Sequence, residues 1–297
     1  MAESTEQETR GAMQFTKMHG IGNDFVVVDA MRGAWPEESL PGLARRICDR
    51  HFGIGADGWI LVMPSRVADF RMRIFNPDGS EAEMCGNGIR CFAKYVFERN
   101  LTPRKEIQVE TLAGLMQPKL ILHGGKVEKV RVDMGEPRLH RGDIPMRGEP
   151  TQSPVIREKL RIGGEKYEFT AVSMGNPHCV LFIRNVEQVD VATLGPQIEH
   201  HPLFPARTNV EFVQVLNHGE LRIRVWERGA GPTIACGTGA CAAVVAAVLN
   251  GLTQRRVVVH LEGGDLEIEW QGNNHVFMTG PAEEVFVGTL KIPLETG

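Results

Sequence analysis

The residues best suited to chemistry lie in two short segments, Cys85-Gly86-Asn87-Gly88 and Cys236-Gly237-Thr238-Gly239. In each, glycines let the backbone turn tightly and approach a ligand closely. Each opens a helix-like stretch, MCGNGIRCFAKYVFE over 84–98 and ACGTGACAAVVAAVL over 235–249. Free N–H groups at a helix start carry partial positive charge and favour anions. A thiol placed there is biased toward thiolate, with a pKa lowered from about 8.5 to as little as about 3.5–7.5 in favourable settings. Each segment therefore offers a reactive sulfur beside a place for a carboxylate. Two such segments facing each other would present a bound Cα to one sulfur on each side. Inversion at Cα needs that arrangement, a base on one face and an acid on the other. The Cα proton of an amino acid is very weakly acidic, so dry surroundings and N–H donors aimed at the carboxylate must stabilise the carbanion-like state.

The elements that position these segments are repeated along the chain. Gly22-Asn23 and Gly175-Asn176 both stand just before a β-branched, apolar run, and the asparagines are 153 residues apart. Cys85 and Cys236 are 151 apart, and Val109-Glu-Thr-Leu-Ala-Gly resembles Val258-Val-His-Leu-Glu-Gly at a separation of 149. Three matches in order and at nearly constant offset argue for two copies of one fold. Strands dominate each copy: Phe25–Asp29, Trp59–Met63, Phe70–Phe75 and Ile107–Glu110, then Val180–Ile183, Val210–Val215, Leu221–Trp226 and Arg256–Leu261. Turn residues such as Asn76-Pro77-Asp78-Gly79 and Gly229-Ala230-Gly231-Pro232 separate them. One long helix per copy follows the Cys-Gly-X-Gly segment. The second, Ala240 to Leu249, is Ala and Val nearly all round and stops near Gly251. A helix without a polar face must be buried on all sides, and strands wrapped around it would do that. The Gly-, Pro- and charge-rich stretch from Gly135 to Pro150 reads as a linker or loop.

A length of 297 residues suits two domains at about 150 residues each. The hydrophobic fraction of 42% supports an ordinary core, and no run approaches the roughly 18 apolar residues of a spanning helix. The start, MAESTEQETRGA, is polar and has no signal-peptide core. Residues 1–12 are expected to be a disordered tail, and the chain to be cytoplasmic. A net charge of −4 without a Lys/Arg run argues against nucleic acid or an anionic membrane as partner.

Six cysteines in a large chain without a secretion signal are expected to be reduced. A four-cysteine zinc site from Cys85, Cys91, Cys236 and Cys241 fails on geometry. At roughly 100° per residue the two helical pairs point about 120° and 140° apart. Cys91 and Cys241 read as small core residues, as do Cys48 and Cys179. No metal or cofactor is expected, since neither a phosphate-cradling loop nor a recognisable Schiff-base lysine is present.

At these residues the chain resembles the diaminopimelate epimerase family, from about residue 14 to the end. The resemblance rests on Gly22-Asn23-Asp24-Phe25, Phe75-Asn76-Pro77-Asp78-Gly79-Ser80 and Cys85-Gly86-Asn87-Gly88-Ile89-Arg90-Cys91 in the first half. In the second half it rests on Gly175-Asn176-Pro177-His178, Arg207-Thr208-Asn209-Val210-Glu211, Glu227-Arg228-Gly229-Ala230-Gly231 and Cys236-Gly237-Thr238-Gly239. It implies a cofactor-independent interconversion of LL- and meso-diaminopimelate, in lysine and cell-wall precursor biosynthesis. The implied fold is α+β, with two pseudo-symmetric domains, each an antiparallel, barrel-like sheet around a central helix. The domains would be 13–133, with the C-terminal strand 281–297 returning to it, and 134–280; a homodimer is implied as well.

Cys85 and Cys236 match the family's acid–base pair, and His178 and Glu227 match positions that tune the thiols. Asn23, Asn76, Asn176, Asn209, Glu227 and Arg228 match substrate ligands. Gly86, Asn87, Gly237 and Thr238 match the carboxylate-binding helix entrances. One of Asn76 and Asn209 is expected to be mainly structural. Gly58 departs from the pattern, since many relatives carry Gln there.

The residues support these roles. Arg228 offers a fixed fork to a second carboxylate, and Glu227 can accept from an ammonium group. Competing readings are a proline racemase-like enzyme, which usually has His where this chain has Asn87, and a phenazine-type isomerase, which should lack the cysteine pair. A third is a non-enzymatic, redox-responsive binding protein that uses Cys85 and Cys236 as a switch.

Overall fold

The computed structural model describes residues 12–32 and 35–291. Residues 1–11 of the expected tail, and the end of the chain beyond 291, lie outside the described residues; Ala12 begins the first strand. Two compact units are present: one runs through Val130 and resumes at Pro281, and the other is Arg131–Gly280.

The first unit contains β1 (Ala12–Gly20), β2 (Asn23–Asp29), α1 (Leu40–Cys48), β3 (Gly58–Met63), β4 (Phe70–Phe75), β5 (Glu81–Ala82), α2 (Gly86–Glu98), β6 (Val109–Thr111), β7 (Gly114–Met116) and β8 (Lys119–His123). β9 (Lys126–Asp133) crosses the unit boundary. The second unit has β10 (Glu158–Ile162), β11 (Glu165–Ser173), β12 (Pro177–Phe182), α3 (Val191–Glu199), β13 (Asn209–Asn217), β14 (Glu220–Glu227), β15 (Gly231–Thr233), α4 (Gly237–Leu249), β16 (Arg256–Leu261), β17 (Gly264–Trp270) and β18 (Val276–Gly280). The last strand, β19 (Glu283–Lys291), pairs antiparallel with β1 in the first unit.

The repeat is visible in the pairing. The first sheet runs β19-β1-β2-β3-β4-β6-β7 with β5 on β4, and the second contains β11-β12-β13-β14-β16-β17 in sequence with β15 on β14. The α+β class with two sheet-dominated domains holds, but the sheets are mixed and open. β2 lies parallel to β3 and β4 to β6, and likewise β12 to β13 and β14 to β16. Parallel neighbours need a crossover, usually a helix. Among the described residues, the four α-helices occupy these four crossovers. Two of them, α1 and α3, are additional to the one helix per copy that the periodicity suggests; both are nine-residue segments.

Strand alternation sorts the side chains into two layers. In the first unit Val26, Val28, Trp59 and Leu61 pack with Leu40, Ala44 and Ile47 of α1. In the second, Cys179, Leu181, Val210 and Phe212 pack with Val191 and Ile198 of α3. The intervening residues Ile60, His178, Asn209 and Glu211 therefore project from the opposite face, the one that carries α2 or α4. Helix α4 is buried from Gly237 through Ala247, apart from a half-buried Thr238, as its apolar circumference requires. Helix α2 is buried along most of its length but turns Lys94 and Glu98 outward as an i,i+4 ion pair at 3.1 Å. All six cysteines are free thiols, and Cys48, Cys91, Cys179 and Cys241 are buried.

Candidate active site

Asn23 is placed by a tight hairpin. Gly20 pairs with Asn23 across a two-residue turn, and both turn residues have positive φ, Ile21 at 50° and Gly22 at 88°. That is the geometry whose twist matches paired strands, although it strains a β-branched residue. The Asn23 amide is held at both ends. Its Nδ2 donates to Asp57 Oδ2 at 2.8 Å, and its Oδ1 accepts from Asn87 Nδ2 at 3.1 Å and faces Cys85 Sγ at 3.8 Å. Cys85 is the N-cap of α2, with extended backbone, and is half-buried. Gly86 and Asn87 form the buried first turn.

Asp57 belongs to an ion cluster. Arg50 Nη2 donates to Asp57 Oδ1 at 2.7 Å and to Asp24 Oδ1 at 2.8 Å, and Lys17 pairs with Asp24. Burial raises the Asp24 pKa, but hydrogen bonds from Arg50, Lys17 and the Asp57 side outweigh it and hold the carboxyl at about 2. Asn76 sits apart in a turn, its Nδ2 donating to Ser80 Oγ at 3.0 Å while its backbone N–H bonds Ser80 O at 2.8 Å. Gly58 opens β3 where a Cβ would come within 3.2 Å of the Phe25 ring and 3.3 Å of Phe75 O. A Gln there would have to displace packed atoms.

In the second unit Cys236 caps α4 and is 4% exposed. Its sulfur accepts from Gly239 N–H at 3.4 Å and lies 3.6 Å from Thr238 Oγ1. Thr238 Oγ1 also accepts from Asn176 Nδ2 at 3.4 Å, and its hydroxyl hydrogen can be given to the sulfur, or its second lone pair can accept from the thiol. Asn176 Oδ1 faces His178 Nε2 at 3.0 Å, and His178 Nδ1 faces Glu211 Oε1 at 2.7 Å. An amide oxygen only accepts, so Nε2 carries a hydrogen. His178 and Glu211 are fully buried. Burial raises the Glu211 pKa against the lowering effect of His178. Cys236 is pushed well above the ordinary thiol range, first by burial and then by Glu227 and Glu211, against Thr238 and Gly239.

Asn209 is buried and pins backbone at both ends, donating from Nδ2 to Pro177 O at 3.0 Å and accepting Arg228 N–H on Oδ1 at 2.8 Å. Arg228 is exposed, with Nη1 donating to Ala206 O at 3.1 Å. Glu227 is half-buried and accepts from Thr233 Oγ1 at 2.5 Å.

The structure thus brings Asn23, Cys85, Gly86 and Asn87 together in one unit, and Asn176, His178, Cys236, Gly237 and Thr238 together in the other. Asn209 ties the Arg228 turn to the start of β12. Two participants were missed in the sequence reading, Asp57 behind Asn23 and Glu211 behind His178. Glu211 had a signal, a charged residue in the apolar run Val210-Glu-Phe-Val, which cannot be buried without a partner.

The diaminopimelate epimerase family model matches residues 15–140 and 170–285. The chain is 65% identical over 277 residues to the diaminopimelate epimerase of Moorella thermoacetica, covering 93% of this chain and 98% of the relative. It is 62% identical to that of Pelotomaculum thermopropionicum over the same shares. Among solved structures it resembles a hydroxyproline epimerase from Agrobacterium vitis, with TM-score 0.69, 16% identity and coverage of 96% and 95% of the two chains. A PhzF-family phenazine biosynthesis protein from Bacillus anthracis gives TM-score 0.69 at 15% identity and covers 95% and 99%. At such low identity these two likenesses speak for the fold, while the closer relatives and the family model speak for membership. This chain belongs to the diaminopimelate epimerase family.

Proposed function

We propose that this protein interconverts LL- and meso-diaminopimelate, for lysine and cell-wall precursor biosynthesis, by moving one proton at Cα between two cysteines without a cofactor. The observation that carries the reading is the pair of equivalent helix entrances, each with a cysteine at the N-cap and Gly-Asn or Gly-Thr in the first turn. In this reading the α-carboxylate lies against the N–H groups of Gly86, Asn87, Gly237 and Thr238. One sulfur removes the proton from one face while the other returns a proton to the opposite face. The developing negative charge is met by helix N-termini at a site shielded from water. His178 tunes Cys236 through Asn176 and Thr238. Asn23, Asn76, Asn176 and Asn209 position substrate, Glu227 receives its distal ammonium group as well as adjusting the thiols, and Arg228 receives its distal carboxylate.

A cytoplasmic homodimer completes the reading. It is supported by β19, which ends the order of the first sheet and exposes Val285, Phe286 and Val287, a row of apolar side chains on an edge that favours pairing with another chain. The test of the reaction is solvent deuterium. LL-diaminopimelate incubated with the protein in heavy water should gain one deuterium at Cα and yield meso product, in the presence of EDTA and of a carbonyl reagent such as hydroxylamine. Binding without deuterium uptake would instead support the redox-responsive binding protein.

A further inference from the structure

Asn23 and Asn176 are equivalent in the repeat, yet their amides are held in opposite senses. A carboxylate holds the first. Asp57 accepts Nδ2–H from Asn23 at 2.8 Å, so Oδ1 is the end turned toward Asn87 and the Cys85 sulfur. A histidine holds the second. His178 Nε2 occupies Oδ1 of Asn176, so Nδ2 is the end turned toward Thr238 and, through its hydroxyl, toward Cys236. The amide therefore turns its acceptor end toward one sulfur and its donor end, through the Thr238 hydroxyl, toward the other. An oxygen acceptor stabilises S–H and opposes S⁻, whereas N–H and O–H donors favour S⁻.

We propose that Asp57 is a positioning residue for Cys85, acting through Asn23: it locks the amide with Oδ1 toward the sulfur and so keeps Cys85 as the proton-bearing thiol in the empty site. The proposal rests on the two-cysteine reading for its role in the reaction and concerns the proton carried by Cys85 in that reading. Asp57 suits the task because a carboxylate has no hydrogen to give and accepts from Asn23 in only one orientation of the amide. Arg50 and the backbone N–H of Asp24 hold the carboxylate in place. The charged groups around this segment are Lys17, Asp24 and Arg50 on the strand side and Arg90 one turn along α2, whose Nη1 donates to Gly86 O.

The test is the pH profile of Cys85 alkylation by iodoacetamide on the empty protein, read by peptide mass spectrometry. It is measured for wild type, Asp57→Asn, Asn23→Ala and the double variant, with urea melts to verify folding. Asp57→Asn lets the amide turn its Nδ2 toward the sulfur. Alkylation at pH 7 should rise about 3- to 10-fold, the range of one hydrogen bond gained or lost, and its half-maximum should move to lower pH. Asn23→Ala removes the acceptor and should move the profile the same way. In the Asn23→Ala background, Asp57→Asn should add little, because Asp57 has no amide left to orient.

An equal shift in both backgrounds would mean that Asp57 acts as a bare charge, and would overturn the proposal. So would an unchanged profile in Asn23→Ala, which decides the matter alone if Asp57→Asn does not fold. The readout needs no diaminopimelate, so a failed deuterium experiment and a failed alkylation experiment refute different statements.

Discussion

Cys85 and Cys236, the two sulfurs of the proposed reaction, occupy equivalent places in the repeat but unequal surroundings. Cys236 is buried next to two carboxylates, and Gly239 lets one of them in: a Cβ there would stand 2.9 Å from Glu211 Oε1 and 3.1 Å from Cys236 Sγ. At the matching Gly88 the neighbours are Ile74 and Ile60, at 3.2 and 3.3 Å. A two-base mechanism needs both sulfurs, since each face of Cα has its own. Cys85→Ala and Cys236→Ala should each lower net epimerisation by at least about 100-fold, the smaller end of what general acid–base groups contribute. Stability should change by only about 1–2 kcal/mol for a small side chain. Deuterium uptake followed separately from LL- and meso-substrate checks this at higher resolution, with residual exchange in the two variants favouring opposite isomers. Epimerisation at near wild-type rate in a folded Cys85→Ala protein would end the two-cysteine mechanism.

At the level of elements, each sheet is sandwiched between a central helix that carries a cysteine and an outer helix that closes a crossover. The outer helices also reach the candidate site. On α3, Glu199 is buried and accepts Trp226 Nε1–H at 2.7 Å and Gly229 N–H at 3.0 Å, so it holds the turn that follows Glu227 and Arg228. The close approach depends on Gly195, where a Cβ would fall 2.4 Å from Trp226 Cγ. Gly195→Ala should overpack this contact and destabilise the fold by about 1–3 kcal/mol, measured by urea denaturation, and should raise KM for diaminopimelate more than it lowers kcat. An unchanged melt would show that α3 does not depend on this contact. The strands named from the sequence were legible as short apolar runs bounded by turn residues, and the two central helices as uninterrupted stretches after Cys-Gly-X-Gly. The outer helices were not, since α1 and α3 are short and carry internal Gly and Pro: Pro41 and Gly42 in one, Gly195 and Pro196 in the other.

Over the whole molecule the buried thiols link stability to alkaline pH. Burial pushes Cys48 and Cys91 from an ordinary 9.0 to about 12 and raises Cys179 and Cys236 well above 9.0. The unfolded chain releases these protons near pH 9, whereas the folded chain holds them. Above pH 9 the folded state therefore binds more protons than the unfolded state, and stability must fall as pH rises. The loss is up to about 1.4 kcal/mol per pH unit for each such thiol. Urea melts at pH 7, 9 and 10 should show a flat region and then a decline. Replacing Cys48 and Cys91 with Ala should reduce that slope even where it lowers stability at pH 7. A slope unaffected by the replacements would mean that other groups govern the alkaline limb.

The repeat, the two helix entrances, the all-round burial of α4 and the core role of Cys48, Cys91, Cys179 and Cys241 followed from residue types and short spacings, because periodicity, glycine placement and thiol chemistry act over a few residues. The tertiary structure alone decided the mixed pairing of the strands and the partner of each polar side chain. Asp57 meets Asn23 across 34 residues, Glu211 meets His178 across 33, and Asn176 meets Thr238 across 62. A hydrogen bond over such distances leaves no periodic trace in the chain. Strand pairing, and for Thr238 the packing of α4 on its sheet, brings the two groups within 3.5 Å, and only then does the side-chain chemistry determine which end of an amide points at a sulfur.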